Sequence, residues 1–288
     1  MSAAPSARGV GCEAAAGAVP LRVLQCGYSK SGNYLLHRVL SSLLEAHGQF
    51  RSFVAASGVG AAIDALCGAT RRMPDARRVD NLKLVDGAWH VQFPDLRCRF
   101  LPVDWSLVLA HSTLVWSHDR PDDLVPYEDD FSHRIYILRD GRDVVNSMLH
   151  YLVTPAILAL YPDHRFETLE QIYADLDFFA GKVVAWRDHV RSLGRHAGRW
   201  RVVRFEELAE ERARTIDGLA RHLGLAADAG ALAAATDFAA MRRSAPRHLR
   251  EGRRGDWQRW FGPRHRDVFK ELAGRELIEL GYADSLDW

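Results

Sequence analysis

The chain has 288 residues, with 38 Lys+Arg against 37 Asp+Glu and a formal net charge of +1. Hydrophobic residues make up 48% and charged residues 26%, which excludes a disordered chain, and the length suits one large domain or two small ones with a sizeable core. The even balance excludes a broad nucleic-acid face or a polybasic membrane anchor, but not a small cationic pocket. Only Lys30, Lys83, Lys182 and Lys270 are lysines, so a lysine in a special place is informative. Cys12, Cys26, Cys67 and Cys98 are widely spaced and form no CxxC pair. Neither a disulfide framework nor a zinc site is expected, and a reducing, cytoplasmic setting fits.

Residues 1–20 are rich in Ala, Gly and Ser and lack the basic start and apolar run of a signal peptide. They are expected to be a disordered leader to a single domain over residues 21–288. No stretch approaches the roughly 18 apolar residues of a membrane span. Leu21 to Cys26 is a short apolar run ending at Gly27, and reads as a buried strand. Tyr34 to Ala46 places Leu35, Leu36, Val39, Leu40, Leu43 and Leu44 on one helical stripe. Asp86-Gly87 between two apolar runs predicts a hairpin turn. Residues 112–117 and 134–138 read as further strands, the second followed by a helix from Asp143 to Leu152. Phe166 to Leu193 has helical spacing, with Gly181 as its expected weak point. Trp200 to Phe205 reads as a strand, and Ile216 to Leu223 as a helix closed by Gly224. This alternation predicts an α/β fold: a single domain with a central, mainly parallel sheet flanked by helices, in a P-loop-like nucleotide-binding architecture. Ligands bind such sheets beyond the carboxyl ends of the strands.

The first strand runs into Gly27-Tyr28-Ser29-Lys30-Ser31-Gly32-Asn33-Tyr34 and then a helix. Successive backbone N–H groups at such a turn make an anion site, and Lys30 adds a full charge. The glycine spacing matches a Walker A loop, but no Lys-Ser/Thr pair follows Gly32. The segment also reads as a plain turn with a surface lysine.

Three segments together resemble the sulfotransferases that use 3′-phosphoadenosine 5′-phosphosulfate (PAPS). Ser29-Lys30-Ser31-Gly32-Asn33-Tyr34-Leu35 is similar to the family's Pro-Lys-Ser-Gly-Thr-Thr-Trp loop around the 5′-phosphosulfate. Residues 138–150 resemble its 3′-phosphate motif, with Arg139 after a strand and Ser147 eight positions on. A planar guanidinium at a strand end and a helix hydroxyl suit a phosphate. An ion pair of Arg139 with Asp140 or Asp143 is the structural alternative. Arg250-Glu251-Gly252-Arg253-Arg254-Gly255-Asp256-Trp257 resembles Arg-Lys-Gly-x-x-Gly-Asp-Trp, with Glu251 in the lysine's place. Thr236-x-Phe238-x-x-Met241 resembles the adenine-contacting segment, where Phe238 would stack on the base. Phe205-Glu206-Glu207-Leu208 stands where the family has Tyr-Glu-Asp-Leu, and Trp186-x-x-His189-Val190 resembles a helix motif read as structural. The resemblance spans roughly residues 21–280 and implies a cytosolic-type sulfotransferase. The arginine-rich, lysine-poor usage is associated with GC-rich bacterial genomes.

The resemblance implies that Lys30 and His118 are catalytic, and that Ser31, Gly32, Asn33, Tyr34, Arg139, Ser147, Thr236, Phe238, Arg250, Glu251 and Gly252 bind the co-substrate PAPS. His118 follows a strand and precedes a proline turn, as the family's base does in Lys-Thr-His-x-Pro; Trp116 replaces that lysine. Asp119 would orient the imidazole or be an ordinary loop carboxylate. His111 and His150 rank below His118 as the base. Lys30 would stabilise charge on the leaving oxygen. No metal is expected. The acceptor is a small molecule, its pocket drawn from segments 50–80, 88–110 and 152–166, including Phe53, Trp89, Phe93, Trp105, Tyr151 and Tyr161. Oligomeric state stays open. An ATP-dependent phosphotransferase and a non-catalytic adenosine 3′,5′-bisphosphate-binding protein are the alternatives. The departures at Asn33, Leu35, Trp116, Phe205 and Glu251 keep the second of these in play.

Overall fold

Seven strands order as β4-β3-β2-β5-β1-β6-β7 in one sheet of the computed structural model, which describes residues 21–62, 76–92, 100–237 and 254–288. The strands are β1 Val23–Cys26, β2 Asp80–Val85, β3 Ala88–Gln92, β4 Phe100–Pro102, β5 Leu114–Ser117, β6 His133–Leu138 and β7 Arg201–Arg204. The run β2-β5-β1-β6-β7 is parallel, while β3 and β4 add an antiparallel edge. This is the expected α/β architecture. Every residue of β1 is buried, as a central parallel strand with both faces covered requires.

Helices of six or more residues, numbered in order, are α1 Asn33–Ala46, α2 Trp105–His111, α3 Gly141–Leu152, α4 Pro155–Leu160, α5 Leu169–Ala174 and α6 Leu176–Arg195. They continue with α7 Phe205–Glu210, α8 Arg212–His222, α9 Ala229–Ala235 and α10 Pro263–Glu279. None is long and apolar enough to cross a membrane among the described residues. Strand alternation divides the core in two. Along β6, Ile135 and Ile137 join the layer under α1, while Tyr136 and Leu138 join the layer under α3, α6 and α10.

Several local expectations hold. Asp86 (φ 50°) and Gly87 (φ 78°) both take the left-handed conformation that a two-residue hairpin turn demands. Gly224 (φ 68°) follows α8. Others need correction. The helix read over Phe166–Leu193 is two helices, broken at Asp175 and not at Gly181. Asp175 adopts extended backbone and its side chain accepts the Phe178 N–H at 2.8 Å, so it caps α6. Gly181 lies inside α6. Phe205 does not end β7 but opens α7. Residues 1–20 and Phe93 lie outside the described residues.

Candidate active site

The parallel register aligns Cys26 of β1 with Ser117 of β5 and with Tyr136 of β6. The chain leaves these adjacent strands at one edge of the sheet, where Gly27, His118 and Arg139 follow. Two hydrogen bonds join the three exits. His118 Nδ1 lies 2.8 Å from the Gly27 carbonyl, and Arg139 Nη1 donates to the Lys30 carbonyl at 3.2 Å. Residues 91 and 109 positions apart thus meet around one loop.

The loop packs tightly against β6 and the start of α7. Gly32 takes φ 100° and caps α1 without a side-chain hydrogen bond. A Cβ there would strike the Phe205 ring, and one on Gly27 would meet Ile137 at 2.6 Å. Lys30 holds φ 72°, a left-handed conformation uncommon outside glycine. The first turn of α1 leaves N–H groups with no helical acceptor, which favours an anion. Lys30 Nζ sits 4.1 Å from the centroid of Tyr151 on α3. Ser31, Asn33 and Tyr34 are buried. Asn33 donates its side-chain amide to the Tyr28 carbonyl at 2.9 Å, bracing the loop from within.

Arg139 is buried at the end of β6, its guanidinium 4.2 Å from the centroid of Phe205. Burial raises the Asp143 pKa, and the nearby Arg139 charge opposes that shift. Asp140 pairs with Arg142 at 2.7 Å and caps α3. Asp143 accepts the backbone N–H groups of Gly255 at 2.7 Å and Trp257 at 3.2 Å. Asn146 donates to Asp256 at 3.0 Å. The Arg142 guanidinium lies against both the Trp257 and Trp288 rings, at 4.4 and 4.6 Å, and these two rings meet edge-on at 5.2 Å. The segment carrying Arg139 and Ser147 therefore grips the Gly-Asp-Trp segment directly. Asp143, Ser147 and Tyr151 recur every four residues along one face of α3. That face runs from the Gly255 turn to Lys30, with partly exposed Ser147 midway. Thr236 is buried and donates its hydroxyl to the Leu232 carbonyl at 2.7 Å. Phe238, Met241, Arg250, Glu251, Gly252 and Arg253 lie outside the described residues.

A carbonyl can only accept, so the His118–Gly27 contact puts the proton on Nδ1 and the lone pair on Nε2. Nε2 bonds nothing among the described residues and is not sealed from solvent. Burial holds the His118 pKa below its ordinary value, and Lys83 and Lys30 push it the same way. The Gly27 carbonyl and Asp119 oppose them. The imidazole is thus neutral at neutral pH. Asp119 does not touch it. Its carboxylate accepts from Ser117 at 2.8 Å, the Leu84 N–H at 2.8 Å and Lys83 at 3.2 Å, tying β5 to β2. Trp116 lies edge-on to His118, ring centroids 5.3 Å apart, and stacks on His37 at 5.6 Å. It brings no charge where the family has a lysine. His111 is exposed at the end of α2, and His150 packs on Trp260 at 4.4 Å. Trp89 and Trp105, considered for the acceptor wall, stack on each other at 4.6 Å within a core cluster. Among the described residues, no group of three His, Cys, Asp or Glu side chains could hold a metal ion.

Sequence reasoning missed the platform role of Phe205, the clamp formed by Arg142, Asp143 and Asn146, and the packing of Tyr151 on Lys30. Heptad-free helix spacing carries no sign of them, although an i, i+4, i+8 reading of α3 would have grouped Asp143, Ser147 and Tyr151.

Residues 20–281 match the family described as sulfotransferase domain. No curated protein matches the sequence. Among solved structures, mouse sulfotransferase SULT7A1 complexed with PAP is similar at 19% identity and a TM-score of 0.58, over 92% of this chain and 88% of that one. Retinol dehydratase in a complex with retinol and PAP is similar at 17% identity and a TM-score of 0.57, over 91% and 82%. At such identities the structural likeness carries the fold alone. Nothing in these matches supports a bacterial origin.

Proposed function

The chain belongs to the sulfotransferase domain family and is a PAPS-dependent sulfotransferase; from that premise we propose that it moves the sulfuryl group of PAPS to a hydroxyl or amine of a small-molecule acceptor by in-line displacement. The observation that carries this reading is the convergence of the Lys30 loop, His118 and Arg139 at three adjacent strand ends, joined by the His118–Gly27 and Arg139–Lys30 contacts. The first-turn N–H groups of α1 and the Lys30 charge suit the phosphosulfate end of the donor. Arg139 and Ser147 would hold the 3′-phosphate together with Arg250, Glu251 and Gly252. Ser31, Asn33 and Tyr34 would frame the 5′ end, and Thr236 and Phe238 the adenine.

In the reaction a bond forms from the acceptor oxygen or nitrogen to sulfur as the bond from sulfur to the bridging phosphate oxygen breaks. The acceptor's proton passes to Nε2 of His118. The electron pair leaves on the phosphate oxygen of adenosine 3′,5′-bisphosphate, where Lys30 stabilises it. Residues 21–288 act as one catalytic domain in a cytoplasmic setting. Calorimetry tests the donor assignment. Arg139→Ala should weaken adenosine 3′,5′-bisphosphate binding about 10- to 100-fold, and adenosine 5′-monophosphate binding by no more than about threefold. Equal losses for both nucleotides would contradict the 3′-phosphate role.

A further inference from the structure

His118 is held at its backbone as well as at its ring. His189 of α6 is buried, and its Nε2 lies 3.2 Å from the His118 carbonyl. The carbonyl can only accept, so His189 Nε2 carries the proton and Nδ1 the lone pair. The Tyr136 hydroxyl donates to that Nδ1 at 2.7 Å. The Tyr28 ring also packs edge-on against His189, centroids 5.5 Å apart.

These contacts form a chain. The Gly27 carbonyl accepts from His118, the His118 carbonyl accepts from His189, and His189 accepts from Tyr136. The Gly27 carbonyl opens the anion loop, so the chain runs from the loop through His118 into α6 and β6. The Gly27 carbonyl sets the His118 tautomer, and the His118 carbonyl sets that of His189. The same face of α6 holds the chain just beyond the histidine. Ser192 accepts the Asp122 N–H at 2.8 Å, and Arg195 pairs with the Asp122 carboxylate at 3.1 Å.

Resting on the assignment of His118 as the base, we propose that His189 and Tyr136 are positioning residues that hold the His118 backbone, so that its ring stays on the Gly27 carbonyl, in one tautomer and in register with the donor loop. Neither touches the reacting atoms; both act through His118. A loop that shifts on binding its anion carries the base with it, because the ring is bonded to the loop's Gly27 carbonyl. The charged and titratable groups facing this pair are Asp119, Lys83 and Lys30 around His118, and Asp119 and Arg120 around His189. None of them is altered in the test.

The test compares three variants of the full chain. His189→Asn keeps an acceptor for Tyr136 but loses the donor to His118. His189→Gln places an amide donor near the Nε2 position. Tyr136→Phe removes the hydroxyl alone. His189→Asn and Tyr136→Phe should lower kcat about 10- to 100-fold, with bisphosphate affinity within about threefold of the parent. His189→Gln should recover most of the loss. Long-range ¹H–¹⁵N spectra should show His118 protonated only on Nδ1 in the parent and as a tautomer mixture in His189→Asn. That readout needs no turnover, so it separates this proposal from the base assignment, which fails if His118→Ala retains activity. A single unchanged tautomer in His189→Asn, or equal kcat losses in the Asn and Gln variants matched by equal losses of Tm, would reduce His189 to a core residue and overturn the proposal.

Discussion

In the proposed reaction His118 would be a general base made by position and burial, without a carboxylate partner. The acceptor of its Nδ1–H is a backbone carbonyl, and the neighbouring Asp119 is turned toward Lys83 and the Leu84 amide. Burial lowers its pKa, so the basic form persists below the ordinary histidine value of about 6.5. Protonation occupies Nε2 and removes the base. The acidic limb of kcat/KM should therefore fall below pH 6.5, with activity rising as pH increases through it. An acidic limb above that value would contradict the burial argument. Lys30→Ala should lower kcat by about 10²- to 10³-fold while Tm stays within a few degrees, because its charge matters most on the leaving oxygen. At this scale the sequence was informative where chemistry is concentrated. His118 and Arg139 stood out as candidates because each directly follows a strand, and Lys30 because it lies in the glycine-bounded loop after one. Tyr136 and His189 were not, because their partners stand 53 and 71 residues away and both look like core positions on a strand and a helix.

Helix α3 connects the two ends of the proposed nucleotide site. Its first turn supplies Arg142, Asp143 and Asn146 to the Gly255–Trp257 turn, and its later turns carry Ser147 and Tyr151 toward Lys30. Arg142 is the hub, pairing with Asp140, donating to the Tyr282 carbonyl at 2.6 Å and packing on two tryptophan rings. Arg142→Ala leaves Asp140 buried without its counter-charge and removes the guanidinium packed on Trp257 and Trp288. Denaturant unfolding should show a loss of about 3–5 kcal/mol. A loss below about 1 kcal/mol would mean that the pair is not a structural anchor. The hairpin was readable because Asp-Gly answers a conformational demand that few residues meet. The break at Asp175 was not, because its capping bond competes with an apolar pattern that continues straight across it. The pairing of the two phosphate motifs was equally hidden. It depends on a contact across more than a hundred residues, and spacing in sequence says nothing of it.

For the whole molecule, the near-neutral charge conceals a concentrated positive site. Lys30 and Arg139 stand at neighbouring strand ends of a sheet whose order the alternation of elements did not specify. The parallel centre was predictable from strand-helix repetition. The antiparallel edge formed by β3 and β4 needed the structure beyond its hairpin, since β4 is three residues long. The central claim is that this fold transfers a sulfuryl group, and it is tested most directly with PAPS labelled in that group. Parent protein, incubated with a mixture of small hydroxyl and amine metabolites, should move the label to an acceptor and release adenosine 3′,5′-bisphosphate, and His118→Ala should do so about 10²- to 10⁴-fold more slowly. Tight bisphosphate binding with all label retained on the donor across that mixture, or magnesium-dependent transfer from labelled ATP in its place, would contradict the account.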